Sequence, residues 1–111
     1  MTTVSGKRVK FIKCEVFFML FPTGPVVMTQ GIAFRCQQSK GFYNFVLQSL
    51  QKHRNGKWGS IPADDRKLND LAVKTGDRIL SAYKHSPSGE TIWIITEWDR
   101  SCTTVLFPEE Y

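Results

Sequence analysis

At 111 residues, with 41% hydrophobic and 23% charged positions, the chain is sized for one globular domain and is too apolar for long disorder. Its net charge of +5 is the sum of +8 over residues 1–60 (nine Lys and Arg against Glu15) and −3 over residues 61–111 (six basic, nine acidic). Cys14, Cys36 and Cys102 are odd in number and widely spaced, with no CxxC pair; with His53 and His85 isolated, they exclude a disulfide framework and a zinc motif and point to a reducing compartment.

At the amino end, Lys7, Arg8, Lys10 and Lys13 precede Val16-Phe17-Phe18-Met19-Leu20-Phe21, a superficial likeness to a signal peptide. The apolar run stops at Pro22 and Gly24, no small-x-small cleavage site follows closely, and a membrane-spanning helix needs roughly 20 residues. The expectation is a cytoplasmic protein that does not engage a membrane. Residues 9–21 and 25–29 read as one or two strands around the turn Pro22-Thr23-Gly24-Pro25.

Ser39 is placed to cap a helix running to about Arg54, with Phe42, Phe45, Val46 and Leu50 on one face. Lys52, His53 and Arg54 fall in its last turn, where cations complement the helix dipole, and Asn55-Gly56 stops it. A second helix starts at Pro62, carries Asp64 and Asp65 in its first turn, and ends at Gly76. Leu68, Leu71 and Ala72 form its predicted apolar stripe.

Three β-rich runs follow: Arg78–Tyr83, Thr91–Thr96 and Thr103–Phe107. They are separated by His85-Ser86-Pro87-Ser88-Gly89 and by Trp98-Asp99-Arg100-Ser101, which read as turns. The predicted fold is therefore α+β and a single domain: a C-terminal three-stranded antiparallel meander, two helices packed on one face, and one or two N-terminal strands. Ile92 and Ile94 lie on one face of the middle strand and Trp93 and Ile95 on the other, so that strand is expected to be central. Its second face needs cover from a helix, the N-terminal segment or another subunit, which makes a homodimer the expected assembly.

Gly56-Lys57-Trp58-Gly59, then Asp65, Asn69 and Asp70, then Leu80-Ser81-Ala82-Tyr83 and Ile92-Trp93-Ile94-Ile95-Thr96-Glu97 form a recognisable set. Asp99-Arg100-Ser101 and Thr103-Thr104-Val105-Leu106-Phe107-Pro108-Glu109-Glu110-Tyr111 complete it. Over roughly residues 20–111 this pattern resembles a group of small uncharacterised proteins of bacterial plasmids, integrative elements and mobile gene cassettes. The chain departs from that group at Ser60, where an acidic residue is usual, and at Trp98, where a small one is. The first 18 or so residues look like an extension outside the pattern. The resemblance implies a mobile-element context rather than a reaction.

The basic half presents Lys7, Arg8, Lys10, Lys13, Lys52, Arg54 and Lys57 as candidate phosphate contacts, unless the two halves meet in the fold and neutralise each other. Trp58, beside Lys52, Arg54 and Lys57, is either a base-stacking platform or, the commoner role in a short connector, a core plug. Asp99 and Arg100 form either a recognition pair at a hairpin tip or a turn held by its own side chains. Glu109, Glu110 and Tyr111 form either an acidic recognition tail or a segment whose Tyr packs back on the sheet. The preferred reading is a non-enzymatic accessory or anti-defence module with a host protein or nucleic acid as partner and no cofactor. The alternative is a ribonuclease of the toxin type, drawing on Tyr83, Lys84, His85, Glu97 and Arg100.

Overall fold

Val26-Val27-Met28-Thr29 is a wholly buried strand, and the four residues of its partner strand, Thr103 to Leu106, are buried as well. A computed structural model of the chain describes residues 9–11 and 19–111. Along it run β1 (Val9–Phe11), β2 (Val26–Thr29), α1 (Gln30–Gln38), α2 (Lys40–Arg54), α3 (Ala63–Thr75), β3 (Ile79–His85), β4 (Glu90–Thr96), β5 (Thr103–Leu106) and a 3-10 turn at Pro108–Glu110. Strands β2, β5, β4 and β3 form a mixed sheet, to which the short β1 adds an antiparallel edge, giving the order β1-β2-β5-β4-β3.

The fold is α+β, and the expected three-stranded antiparallel meander is part of a larger mixed sheet. β3, β4 and β5 do run antiparallel in succession; β5 then pairs in parallel with β2, Val26 opposite Thr103 and Met28 opposite Val105. β4 is interior, as its two apolar faces require. Val26, Met28, Ile92, Ile94 and Val105 share the face on which α1 and α2 lie, packed with Ile32, Phe42, Val46 and Leu50.

The helix at 30–38 is not anticipated by the sequence pattern. Thr29 caps it, its hydroxyl accepting from Ile32 N (3.4 Å) and donating to Glu110 Oε1 (2.6 Å). Glu110 also accepts from Gly31 N (3.2 Å) through its other oxygen, so a carboxylate sits on the positive end of α1. For α2, the Ser39 hydroxyl accepts from Phe42 N (3.1 Å) as expected.

The second predicted helix is present but turned. Leu68 and Leu71 are 63% and 54% exposed, while Asn69 and Ala72 are buried. The reason is the open edge of β3: Asn69 Nδ2 donates to Leu80 O (2.8 Å) and its Oδ1 accepts from Leu80 N (3.4 Å). α3 therefore lies along the sheet edge, and only α2 of the two predicted helices packs over the face. The same edge is closed further on by the connector, with Ala82 N donating to Trp58 O (3.1 Å) and Ser60 N to Ala82 O (2.8 Å). Gly59 makes this approach possible: its φ is +77°, and a Cβ there would collide with the Ala82 carbonyl oxygen.

A chain of polar side chains threads the core beneath α2. Thr103 Oγ1 donates to Thr23 O (2.8 Å), so towards Thr96 Oγ1 (2.6 Å) it accepts. Thr96, its proton so used, accepts from His53 Nε2 (2.9 Å), and His53 Nδ1 accepts from the Ser81 hydroxyl (2.5 Å). Counting protons thus assigns His53 as the neutral Nε2–H tautomer. Burial, then the charges of Arg54 and Arg100, lower its pKa from 6.5 to about 3.

Candidate functional site

The C-terminal half of α2, the connector at 57–60 and the end of β3 enclose a groove of about 410 Å3 lined by Phe45, Lys52, Lys57, Gly59, Ser60, Tyr83 and Lys84. Phe45 and Lys52 are seven residues apart, two helical turns, and so share one side of α2. Asn55-Gly56 reverses the chain, and Lys57 N donates to Lys52 O (2.9 Å), which brings the second lysine back beside the first. The far wall is fixed by Tyr83, whose buried hydroxyl donates to Lys57 O (2.6 Å). Burial raises the Tyr83 pKa, so this phenol is a structural donor and not a base.

Lys52, Lys57 and Lys84 are all exposed, and no acidic side chain is among the described residues lining the groove. The one salt bridge among the described residues lies elsewhere, between Arg35 Nη2 and Glu90 Oε1 (2.9 Å), with Arg35 stacked 4.7 Å above the Phe42 ring centroid. Arg35 is thereby withdrawn from the basic surface. Three exposed lysines around one groove, with no acidic residue in its described lining, raise the local positive potential, which favours a bound polyanion.

Of the sequence-predicted nucleic-acid contacts, the structure brings Lys52 and Lys57 together and removes two others. Arg54 is 6% exposed, with Nε and Nη1 buried and without a hydrogen-bond partner among the described residues, so it cannot reach a phosphate in solvent. Trp58 is 3% exposed; its ring lies against Phe21 and His53, and its Nε1 donates to Asp70 (2.9 Å). It is a core plug, not a stacking platform. Lys7, Arg8 and Lys13 lie outside the described residues, and Lys10 is in β1 opposite Met28.

Of the candidate partner-binding residues, Arg100 and Glu110 are tied into the fold, while Asp99, Glu109 and Tyr111 are exposed. Asp99 is exposed and accepts from Ser101 N (3.0 Å); the Ser101 hydroxyl first, and this backbone N–H second, lower its pKa. Arg100 sits at φ 60° and clamps the chain: Nη2 donates to Ala72 O (2.8 Å), Nη1 to Asp77 O (2.7 Å) and Glu97 O (3.1 Å). It satisfies a carbonyl at the end of α3, so its guanidinium holds the turn by its own hydrogen bonds. Glu110 caps α1, and Tyr111 packs edge-on to Trp93 (5.7 Å) while its hydroxyl accepts from Arg78 (2.7 Å), leaving Glu109 exposed. Arg100→Ala is expected to cost about 2–3 kcal/mol of stability through the lost charged hydrogen bonds. Arg100→Gly loses the same bonds but relieves the left-handed backbone, and should be about 1 kcal/mol more stable than the Ala variant in urea unfolding.

The five groups invoked for RNA cleavage do not converge. Tyr83, Lys84 and His85 close β3 beside Glu90, whereas Glu97 and Arg100 follow the other end of β4, seven residues or about 20 Å away. Among the described residues no group of three or more His, Cys, Asp or Glu side chains is placed to hold a metal ion, and no helix is long and apolar enough to cross a membrane. Phe45 and Lys84 are the groove residues that counting charges by halves of the chain overlooks: one reads as core, the other belongs to the acidic half. No family model, curated protein or solved structure matches the chain.

Proposed function

We propose that the protein is a non-enzymatic module that binds nucleic acid in the groove between α2, the connector and β3. The observation that carries this reading is the meeting of Lys52, Lys57 and Lys84 around one groove with no acidic residue in its described lining. On the same proposal the protein is an accessory of a mobile element, with a host nucleic acid as the partner.

Binding through three lysines releases about three counterions, so log K should fall with log salt at a slope of roughly 2 to 3. Replacing Lys52, Lys57 and Lys84 together with Ala should abolish most of that dependence and weaken binding to every sequence alike. All three are exposed, so the fold should change by no more than about 0.5 kcal/mol. Fluorescence anisotropy of a labelled oligonucleotide across a salt series is the measurement. No binding at low salt, or an unchanged slope in the triple variant, would overturn the reading.

A further inference from the structure

Resting on that nucleic-acid reading, we propose that the groove takes a single strand, DNA or RNA, with one unpaired base stacked on the ring of Phe45. Three aromatic residues lie in or beside the groove, and two are already committed. Trp58 is buried against Phe21 and His53, and Tyr83 is buried with its hydroxyl on Lys57 O. Phe45 alone among them is half-buried, part of its ring left open to the groove.

Its ring is braced by two neighbouring rings. Phe42 lies 5.6 Å away and His85 4.9 Å away, centroid to centroid, and His85 is itself fixed by the contact between its Nδ1 and the Ser88 hydroxyl (2.8 Å). A ring so braced gives up little rotamer freedom on binding, which is the condition under which stacking contributes most. The groove, of about 410 Å3, is in the size range of clefts that take a small molecule or a single nucleotide unit. Gly59 and Ser60 are held against β3 by the hydrogen bonds to Ala82. The three lysines track phosphates while the apolar ring meets a base face, the pairing of contacts by which strands are bound without regard to sequence.

The test compares four probes on the intact chain: a single-stranded DNA, the RNA of the same sequence, the DNA duplex, and heparin, a polyanion without bases. The variants are Phe45→Leu, which keeps apolar volume against the core and removes the aromatic face, and the three-lysine variant. Both single strands should bind at least about tenfold more tightly than the duplex, with a salt slope near 2 set by about 0.7 per phosphate contact. Phe45→Leu should lose about tenfold on single strands, leave the salt slope unchanged, and leave heparin and duplex binding where they were. A thermal melt of Phe45→Leu close to the parent ties that loss to the groove. Duplex or heparin bound as tightly as single strands, or single-strand affinity untouched by Phe45→Leu, would overturn the stacking inference while the polyanion reading stood. Binding of none of the four probes would overturn both.

Discussion

Between pH 7 and pH 4 the fold is expected to lose about 3 kcal/mol of stability through His53 alone, and that component should disappear in His53→Gln. Folded His53 stays neutral down to about pH 3, held so first by burial and then by the charges of Arg54 and Arg100. The unfolded chain takes up the proton from about pH 6.5 downward, so over the interval between the two values only the unfolded state is protonated. Stability from this residue is therefore complete above pH 6.5 and falls by up to about 1.4 kcal/mol for each unit of acidification, levelling near pH 3. A charged imidazole would have to donate from both nitrogens, and Nδ1 now accepts from Ser81, so protonation breaks the chain that runs on to Thr96, Thr103 and Thr23. Urea unfolding of the parent and His53→Gln at pH 7 and pH 4 gives the difference directly. Parallel losses in the two proteins would remove His53 from the account of acid sensitivity.

Trp58→Ala should destabilise the protein by about 3–5 kcal/mol, a large share of the roughly 5–15 kcal/mol typical of a domain. The ring is 3% exposed and fills the space between Phe21 and Ala72 beside the end of β3, with Ile79 beneath it. Its loss leaves a cavity where α3 meets the sheet edge and frees Asp70 from its donor. Trp58→Phe keeps an apolar ring in that space and should cost much less. A Trp58→Ala protein whose urea midpoint lies within about 1 kcal/mol of the parent would mean that the site collapses freely, contrary to the packing seen.

The parts of this fold that the sequence reveals are those with local causes. The two-faced run at 91–96 marks an interior strand, and Ser39 with Phe42, Val46 and Leu50 marks a capped helix packed on the core, because each signal is complete within a few turns or residues. α1 has a local cap in Thr29 but no apolar stripe: of its nine residues only Ile32 is buried, and a second capping group, the Glu110 carboxylate, comes from the far end of the chain. Leu68 and Leu71 mislead for a related reason, since the face α3 buries is chosen by the hydrogen-bonding needs of β3's edge and not by hydrophobicity. Two of the groove's three lysines are legible in the sequence, Lys52 and Lys57. Lys84 joins them only because β3 folds back beside the connector, and Arg54 leaves them only because its side of α2 is covered.

The parallel pairing of β2 with β5 also dictates an order of events during synthesis. Val26 meets Thr103, so β2 emerges from the ribosome long before its neighbour in the sheet exists. At about 5–20 residues per second the delay is on the order of 4 to 15 seconds. The β3–β4 hairpin, in contrast, can close within about 1–10 microseconds of its second strand's appearance. Throughout the wait Val26, Val27 and Met28 lack the partner that buries them, and α1 lacks the Glu110 carboxylate at its first turn. A nascent chain stalled before residue 103 should therefore be bound by chaperones and cut readily by protease near β2, and chains released past residue 110 should be protected there.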